Sequence, residues 1–240
     1  MDWIDIQGLH DGETVWVLGS GPSLNFVTPE FFRGKVTVST NFSARALGVR
    51  PNYAFTHYHA VAADLLDDSG VVVTIESDTL TFQPWLDEQP RSLVVAATLE
   101  GKPPGSSWNP IKSHKPGLGH VAYGSSSLHG AMHLAAHLGA HFIILVGADC
   151  GRIDGEDRVS NYQVQGGHKL WHLYDRHHKL MKDYLEQNYP VKIHSLNPFI
   201  NLNLEGHTFK GGGRSPRFVN IMRKAAGSLV ASVWRNRCWS

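Results

Sequence analysis

The sequence predicts an α/β domain with a mostly parallel sheet. Short runs rich in valine and isoleucine, such as Phe142–Val146, alternate along the chain with helical stretches such as residues 170–188. Hydrophobic residues make up 42% and charged residues 18% of the 240 residues, which fits one packed core. This composition excludes a disordered, collagen-like or coiled-coil chain.

Each element has a local reason in the sequence. The first strand is a β-branched run that ends at Gly19, and the central helix begins at serines and ends before Gly139. Strands are predicted over 15–18, 35–40, 53–56, 71–75, 93–96, 142–146 and 191–196, helices over 125–138 and 170–188, and a short helical turn over 29–32. The stretch 100–124 is rich in Gly, Pro, Ser and Lys and is predicted to be a long loop.

Charge divides the chain into two parts. Residues 206–240 hold seven basic residues and no acidic one, whereas residues 1–205 hold 15 basic and 21 acidic residues. We therefore expect a catalytic domain over 1–205 and a basic C-terminal segment over 206–240. Such a segment attracts nucleic acid or an anionic membrane, although a charged run is as often only solvated surface.

The same composition bears on the compartment. Two cysteines, Cys150 and Cys238, are too few for a disulfide scaffold and lack zinc-site spacing. No run reaches the roughly 18 apolar residues of a membrane span, and the N-terminus has no basic and apolar leader pattern. The sequence thus predicts a cytoplasmic protein.

The polar residues that follow the predicted strands form a candidate site. Ligands of open α/β sheets bind at the carboxyl ends of strands. The loop Gly19, Ser20, Gly21, Pro22 and Ser23 follows the first strand, and its glycines and backbone N–H groups suit a phosphate. It is neither a complete G-x-G-x-x-G nor a Walker A loop, and an ordinary tight turn is the alternative.

Other strand ends and one helix start add candidates. Three hydroxyls at the start of the central helix suit an anion, although simple N-capping needs only one of them. A carboxylate after the most apolar strand is a candidate whose alternative is a turn or a helix cap. Two histidines after the third strand could contact phosphate or acceptor hydroxyls. These residues, with the asparagine after the second strand, are Ser125, Ser126, Ser127, Asp149, His57, His59 and Asn41.

Histidine is frequent, with 15 residues. His129, His133 and His137 share one face of the central helix at a spacing that can bind a metal. Leu128, Met132 and other apolar residues form the opposing stripe, so we expect the histidine row to face solvent and predict no metal site.

In their order along the chain, these motifs resemble the bacterial sialyltransferases that modify lipooligosaccharide. The residues that carry the resemblance are 17–24, 39–41, 125–139, 143–149, 184–186 and 192–198. Flagellin glycosyltransferases of the motility-accessory type and archaeal hydroxymethylpterin diphosphokinases share the pattern. The resemblance covers roughly residues 14–200 and does not choose a substrate.

The resemblance implies a modified Rossmann-like, glycosyltransferase-A-like domain. It further implies a nucleotide-sugar donor on the residues named above, no required cofactor, and a histidine base in or just before the late helix, either His168 or His172. The acceptor could be a glycan or a polyanion such as DNA with hydroxymethylated bases. Alternatives are a diphosphokinase that uses ATP and Mg²⁺ on a pterin-like alcohol, and a non-catalytic nucleotide-binding module.

Overall fold

The structure is a computed structural model, and it describes residues 3–75, 88, 94–99, 120–122, 126–151, 156–162 and 171–196. The strands of this part are β1 (Thr14–Leu18), β2 (Val36–Thr40), β3 (Tyr53–Thr56), β4 (Val71–Ile75), β5 (Val94–Leu99), β6 (His120–Val121), β7 (Phe142–Val146) and β8 (Lys192–Ser195). They form one sheet in the order β6-β5-β4-β3-β2-β1-β7-β8. Every neighbouring pair is parallel, which confirms the predicted α/β class.

The helices agree with the prediction where they are long. They are α1 (Ser43–Leu47), α2 (His59–Leu65), α3 (Ser127–His137) and α4 (Trp171–Asn188), with 3₁₀ turns at Trp3–Ile6, Pro22–Phe26 and Pro29–Phe32. Helices α1 and α2 were not predicted, because five and seven residues are too few to show a helical period. Strand β6 lies inside the predicted loop 100–124. The segment 206–240 lies outside the described residues.

Side chains of β1 alternate between two hydrophobic cores on opposite faces of the sheet. Val15 and Val17 pack into the core beneath α3 and α4. Trp16 and Leu18 pack on the other face, in a core that includes residues of the 3₁₀ turns and of α1. A strand buried on both faces is expected in a parallel sheet covered on both sides.

Helix α3 lies close against the sheet. A Cβ on Gly130 would lie 2.1 Å from the Phe55 ring of β3, so only glycine permits this approach. All eleven residues of α3 are buried. None of the helices in the described part of the chain combines the length and the apolar character that a bilayer-spanning segment needs.

The prediction that the histidine row of α3 faces solvent is wrong. His129, His133 and His137 are 0%, 1% and 8% exposed. The N-terminal segment and α4 cover this face: His137 stacks on Trp3 and its Nε2 lies 2.7 Å from the Trp3 carbonyl oxygen. His133 Nδ1 accepts the Ala122 N–H, and its Nε2 lies 2.7 Å from the Tyr189 hydroxyl. Hydrogen bonds thus offset the burial of His133 and His137.

The strand order reverses direction between β1 and β7. The chain runs outward from β1 through β2 to β6 and then returns to place β7 on the opposite side of β1. In open parallel sheets, a crevice forms at this switch point beside the carboxyl ends of the strands, and ligands bind there. The predicted site loops after β1 and β7 both lie at this point.

Candidate functional site

The loop after β1 is fastened to the end of β7. The backbone N–H groups of Gly19 and Gly21 donate to the carbonyl oxygens of Val146 and Gly147, at 2.7 and 2.8 Å. The Ser23 N–H donates to Asp149 Oδ2 at 2.6 Å. Three of the four N–H groups between Gly19 and Ser23 are therefore satisfied within the protein, which leaves fewer donors for a phosphate than the sequence suggested.

The two glycines of this loop have a reason within the fold. A Cβ on Gly19 would lie 2.4 Å from the Gly147 carbonyl oxygen. A Cβ on Gly21 would lie 2.6 Å from the same oxygen and 2.5 Å from Asp149 Oδ2. Glycine is thus needed for the loop to reach β7, whether or not a ligand also approaches it.

Asp149 is engaged within the protein, by a partner that is distant in the sequence. It is 3% exposed, and its carboxylate accepts the Ser23 N–H at the start of the 3₁₀ turn Pro22–Phe26. Negative charge at such a start is favourable, because backbone N–H groups there point outward. Asp149 therefore fixes the loop after β1. Contact between Asp149 and a donor stays a prediction.

Asn41 follows β2 with a backbone φ of +45°, a left-handed conformation that asparagine tolerates better than most residues. Its side-chain Nδ2 donates to Ser127 Oγ at 3.3 Å. Its Oδ1 is buried and has no hydrogen-bond partner among the described residues. A buried acceptor without a partner is rare in proteins and requires an explanation.

Ser127 joins the second and third strands to the start of α3. His57 Nδ1 lies 2.9 Å from Ser127 Oγ, so this one hydroxyl contacts both His57 and Asn41. Burial lowers the pKa of His57 to about 4, which keeps the imidazole neutral near pH 7. His57 can therefore exchange hydrogen bonds with a ligand but brings no positive charge to a phosphate.

Tyr162 completes this cluster and was missed by the sequence analysis. Its hydroxyl lies beside the side chains of Asn41 and Ser20, and burial raises its pKa, which keeps the phenol protonated. The backbone of this segment is also attached to the loop after β1, through the Val159 N–H and the Ser20 carbonyl at 2.8 Å. Tyr162 lies in an irregular, polar stretch without periodicity, so no sequence pattern marked it.

Two further side chains border the cluster. Tyr58 is 52% exposed, and its ring centroid lies 3.5 Å from that of His57. The Arg158 guanidinium lies 5.5 Å from the centre of the Tyr162 ring. An exposed aromatic ring and a cation thus lie beside the polar cluster. We call the set Ser20, Asn41, His57, Ser127 and Tyr162 the switch-point cluster.

Several predicted site residues are not placed in full. Ser125 and His168 lie outside the described residues. His172 is in the first turn of α4 and His59 begins α2, but only their backbones are described. Ser126 is the N-cap of α3, and its N–H donates to His129 Nδ1 at 3.2 Å. Pro22 is buried in the 3₁₀ turn that follows Gly21.

Among the described residues, the switch-point cluster is neither part of a metal-type ligand set nor part of the cavity described below. The part of the chain that the structure describes contains no group of three or more His, Cys, Asp or Glu side chains able to hold a metal ion. A cavity of about 450 Å³ opens at the amino ends of the strands, lined in part by Arg33, Lys35 and Arg50. The cavity and the cluster therefore lie at opposite ends of the strands.

No protein-family model matches the chain, and no curated protein sequence matches it. The solved structures that are similar to it include the following two. The MAf glycosyltransferase from Magnetospirillum magneticum AMB-1 shares 15% identity and a TM-score of 0.46, over 94% of this chain and 40% of its own. The chain therefore spans less than half the length of that protein.

The sialyltransferase CstII from Campylobacter jejuni, solved with the substrate analogue cytidine-5'-monophosphate, shares 15% identity and a TM-score of 0.49. The match covers 78% of this chain and 81% of the sialyltransferase. Both proteins come from groups that the sequence motifs resemble. The likeness is one of chain arrangement and carries nothing about donor, acceptor or activity.

Proposed function

We propose that this protein is a glycosyltransferase that moves a sugar from a nucleotide-sugar donor to an acceptor hydroxyl. The donor binds at the switch-point cluster, beside the loop after β1. The observation that carries the proposal is the buried Asn41 Oδ1, which has no hydrogen-bond partner among the described residues. This oxygen lies at the carboxyl ends of the strands, where open α/β sheets bind ligands. A nucleotide supplies the missing donor, from a ribose hydroxyl or a base N–H group.

The side chains around Asn41 suit the rest of a nucleotide. Ser127 and the neutral His57 offer hydrogen bonds to hydroxyls. The exposed ring of Tyr58 is a surface on which a base or sugar can stack. Arg158 and the protonated Tyr162 provide a charge and an O–H group that can stabilise a departing phosphate. The cluster thus combines hydroxyl recognition with stabilisation of negative charge.

The proposed reaction needs a base and a leaving group. The acceptor oxygen forms a bond to the anomeric carbon as the bond from that carbon to the donor phosphate breaks. The nucleotide departs with the bonding electrons, and a base takes the acceptor proton. We assign the base to His168 or His172, on the resemblance to the sialyltransferases alone. The scheme includes no metal, because we assign stabilisation of the departing charge to Tyr162 and Arg158.

A panel of nucleotide sugars and free nucleotides tests the proposal. A true donor raises the unfolding temperature, because a ligand that binds only the folded state stabilises it by RT ln(1 + [L]/Kd). The ligand that stabilises most is then incubated with hydroxyl acceptors, with and without EDTA, and release of nucleotide is followed. We expect release that survives EDTA and needs an acceptor.

Other outcomes identify the two alternative functions. Stabilisation by ATP, with turnover lost in EDTA and restored by Mg²⁺, would identify a diphosphokinase. Stabilisation by a nucleotide without turnover on any acceptor would identify a nucleotide-binding module. Absence of stabilisation by every nucleotide tested would contradict all three functions.

A further inference from the structure

A thiol and three imidazoles lie together where β7 meets α3 and α4. Cys150 carries a thiol and follows Asp149 with a backbone φ of +48°. Its Sγ lies 3.1 Å from His178 Nδ1. The rings of His178 and His177 lie 4.8 and 6.1 Å from that of His129, both edge-on. An imidazole at this distance can take the proton of a thiol.

His129 provides a second, independent observation. Its Nδ1 accepts the Ser126 N–H, so the proton of the neutral ring is on Nε2. Burial, with His178 and His177 nearby, lowers the pKa of His129 well below its usual value, so the ring is neutral. Its Nε2 is buried and has no hydrogen-bond partner among the described residues. A donor N–H therefore lies unsatisfied on a ring whose centroid is 4.8 Å from that of His178.

We propose that Cys150 is an imidazole-activated thiol and a site of oxidation by hydroperoxides. His178 takes the thiol proton, and the sulfur attacks one peroxide oxygen. An S–O bond forms as the O–O bond breaks, so that sulfur is oxidised to a sulfenic acid and the peroxide is reduced. The departing oxygen takes the proton from His178 and leaves as water or an alcohol.

This site is connected to the loop after β1. Cys150 directly follows Asp149, which holds the Ser23 N–H. Oxidation replaces the thiol by a larger and more polar group beside the His178 ring, one residue from Asp149. A shift of the backbone at residues 149–150 would move Asp149 and, through it, the loop. We infer that oxidation of Cys150 weakens nucleotide binding, an effect that rests on the proposed function, whereas the reactivity of the thiol does not.

The thiol is tested by rates of oxidation. The full-length protein is treated with hydrogen peroxide at pH 7, sulfenic acid is trapped with a dimedone probe, and labelled peptides are quantified by mass spectrometry. An ordinary thiol is only a few per cent thiolate at pH 7, so transfer of the Cys150 proton to His178 raises the fraction of the reactive thiolate. A thiolate of lower pKa is also a weaker nucleophile, which offsets part of this gain. We therefore expect Cys150 to be labelled about tenfold faster than an ordinary thiol. Cys238 is the second thiol of the chain and the internal reference.

Variants separate activation from exposure. We expect His178→Asn and His178→Gln to slow labelling of Cys150 about tenfold, with the unfolding temperature measured for each. If one variant fails to fold, the other is used. If both fail, the comparison between Cys150 and Cys238 in the unmodified protein decides the test. Equal labelling rates in a folded His178 variant, or equal rates at Cys150 and Cys238, would overturn the site.

The connection to the loop has its own measurement. Nucleotide affinity is determined before and after peroxide treatment, in the unmodified protein and in Cys150→Ser. We expect a loss of several-fold that occurs only when Cys150 is present. Labelling of Cys150 with unchanged affinity would overturn the connection and leave the thiol site intact. If no nucleotide binds even before treatment, the proposed function fails, while the rates of labelling still decide the thiol.

Discussion

Asp149 holds the backbone N–H of Ser23 across the crevice between β1 and β7, at 2.6 Å. The two residues are 126 positions apart in the sequence, and their contact fixes the first site loop against the strand on the other side of the switch point. The carboxylate that looked like a ligand contact in the sequence is therefore first a support for the loop.

Asp149→Ala should lower the free energy of unfolding by about 1–3 kcal/mol, because it leaves the buried Ser23 N–H without an acceptor. Asp149→Asn keeps an oxygen in nearly the same place and should cost about 1 kcal/mol less, since only the charge is lost. Urea unfolding of the two variants measures the difference. Equal losses would show that an uncharged oxygen does not replace the carboxylate in its contact with Ser23.

Gly21→Ala should reduce both stability and nucleotide affinity, because its Cβ would meet Gly147 and Asp149 at 2.6 Å or less. The variant that controls for backbone strain is Gly12→Ala. Gly12 has a φ of +76° and no atom within 4 Å of an added Cβ, so it should lose only about 1–2 kcal/mol and keep its affinity. Thermal unfolding and nucleotide titration of both variants check this. A Gly21→Ala protein of unchanged stability would contradict the packing described for the loop.

Acid should destabilise the protein through its buried histidines. The pKa of His57 is lowered to about 4 from 6.5, and those of His129 and His137 are also lowered. Below pH 6.5 the unfolded chain binds protons that the folded chain does not, so stability is lost as the pH falls from 6.5 toward the folded values. His57→Gln should remove about 1–2 kcal/mol of the loss between pH 7 and 5.

Urea unfolding at several pH values measures this effect. His141→Gln, which removes an exposed imidazole, is the control substitution. The account of His57 would be contradicted if His57→Gln lost as much stability on acidification as the unmodified protein does.

We also propose that the basic segment 206–240 recruits a polyanionic acceptor. Its removal should leave nucleotide affinity unchanged and weaken acceptor binding. On duplex DNA, each lost phosphate contact should reduce the slope of log affinity against log salt by roughly 0.9. Titrations of both proteins at several salt concentrations test this. If the acceptor affinity of the intact protein does not depend on salt, the positive charge of residues 206–240 is only solvated surface and the proposal is contradicted.

The strands and long helices could be predicted because burial imposes a regular pattern on them. Phe142–Val146 is apolar because its side chains pack into the cores on both faces of the sheet. Glycine ends α3 where a left-handed residue is needed, at Gly139 with φ +92°. The histidine face of α3 was wrongly predicted to be exposed, because histidine is a polar residue that usually lies at the protein surface. The partners that bury this row, Trp3 and Tyr189, are distant in sequence and cannot be read from the helix itself.

The candidate site could be predicted only in part. Asn41, His57 and Ser127 were found because each stands at a strand end or a helix start, and the sheet brings such positions together. Tyr162 and the Cys150–His178 pair were missed, since their contacts depend on how irregular segments fold back onto the sheet. No periodicity constrains those segments.

The dissociation constant of the best nucleotide for Ser127→Ala tests the central claim most directly. Ser127 Oγ contacts both Asn41 and His57, so its loss should weaken binding about tenfold, as expected for about 1.4 kcal/mol. The matched control is Ser69→Ala, which removes another buried hydroxyl, at the opposite edge of the sheet before β4, and should leave the constant unchanged. Equal constants for Ser127→Ala and the unmodified protein, with the fold intact, would contradict the placement of the nucleotide at the switch-point cluster.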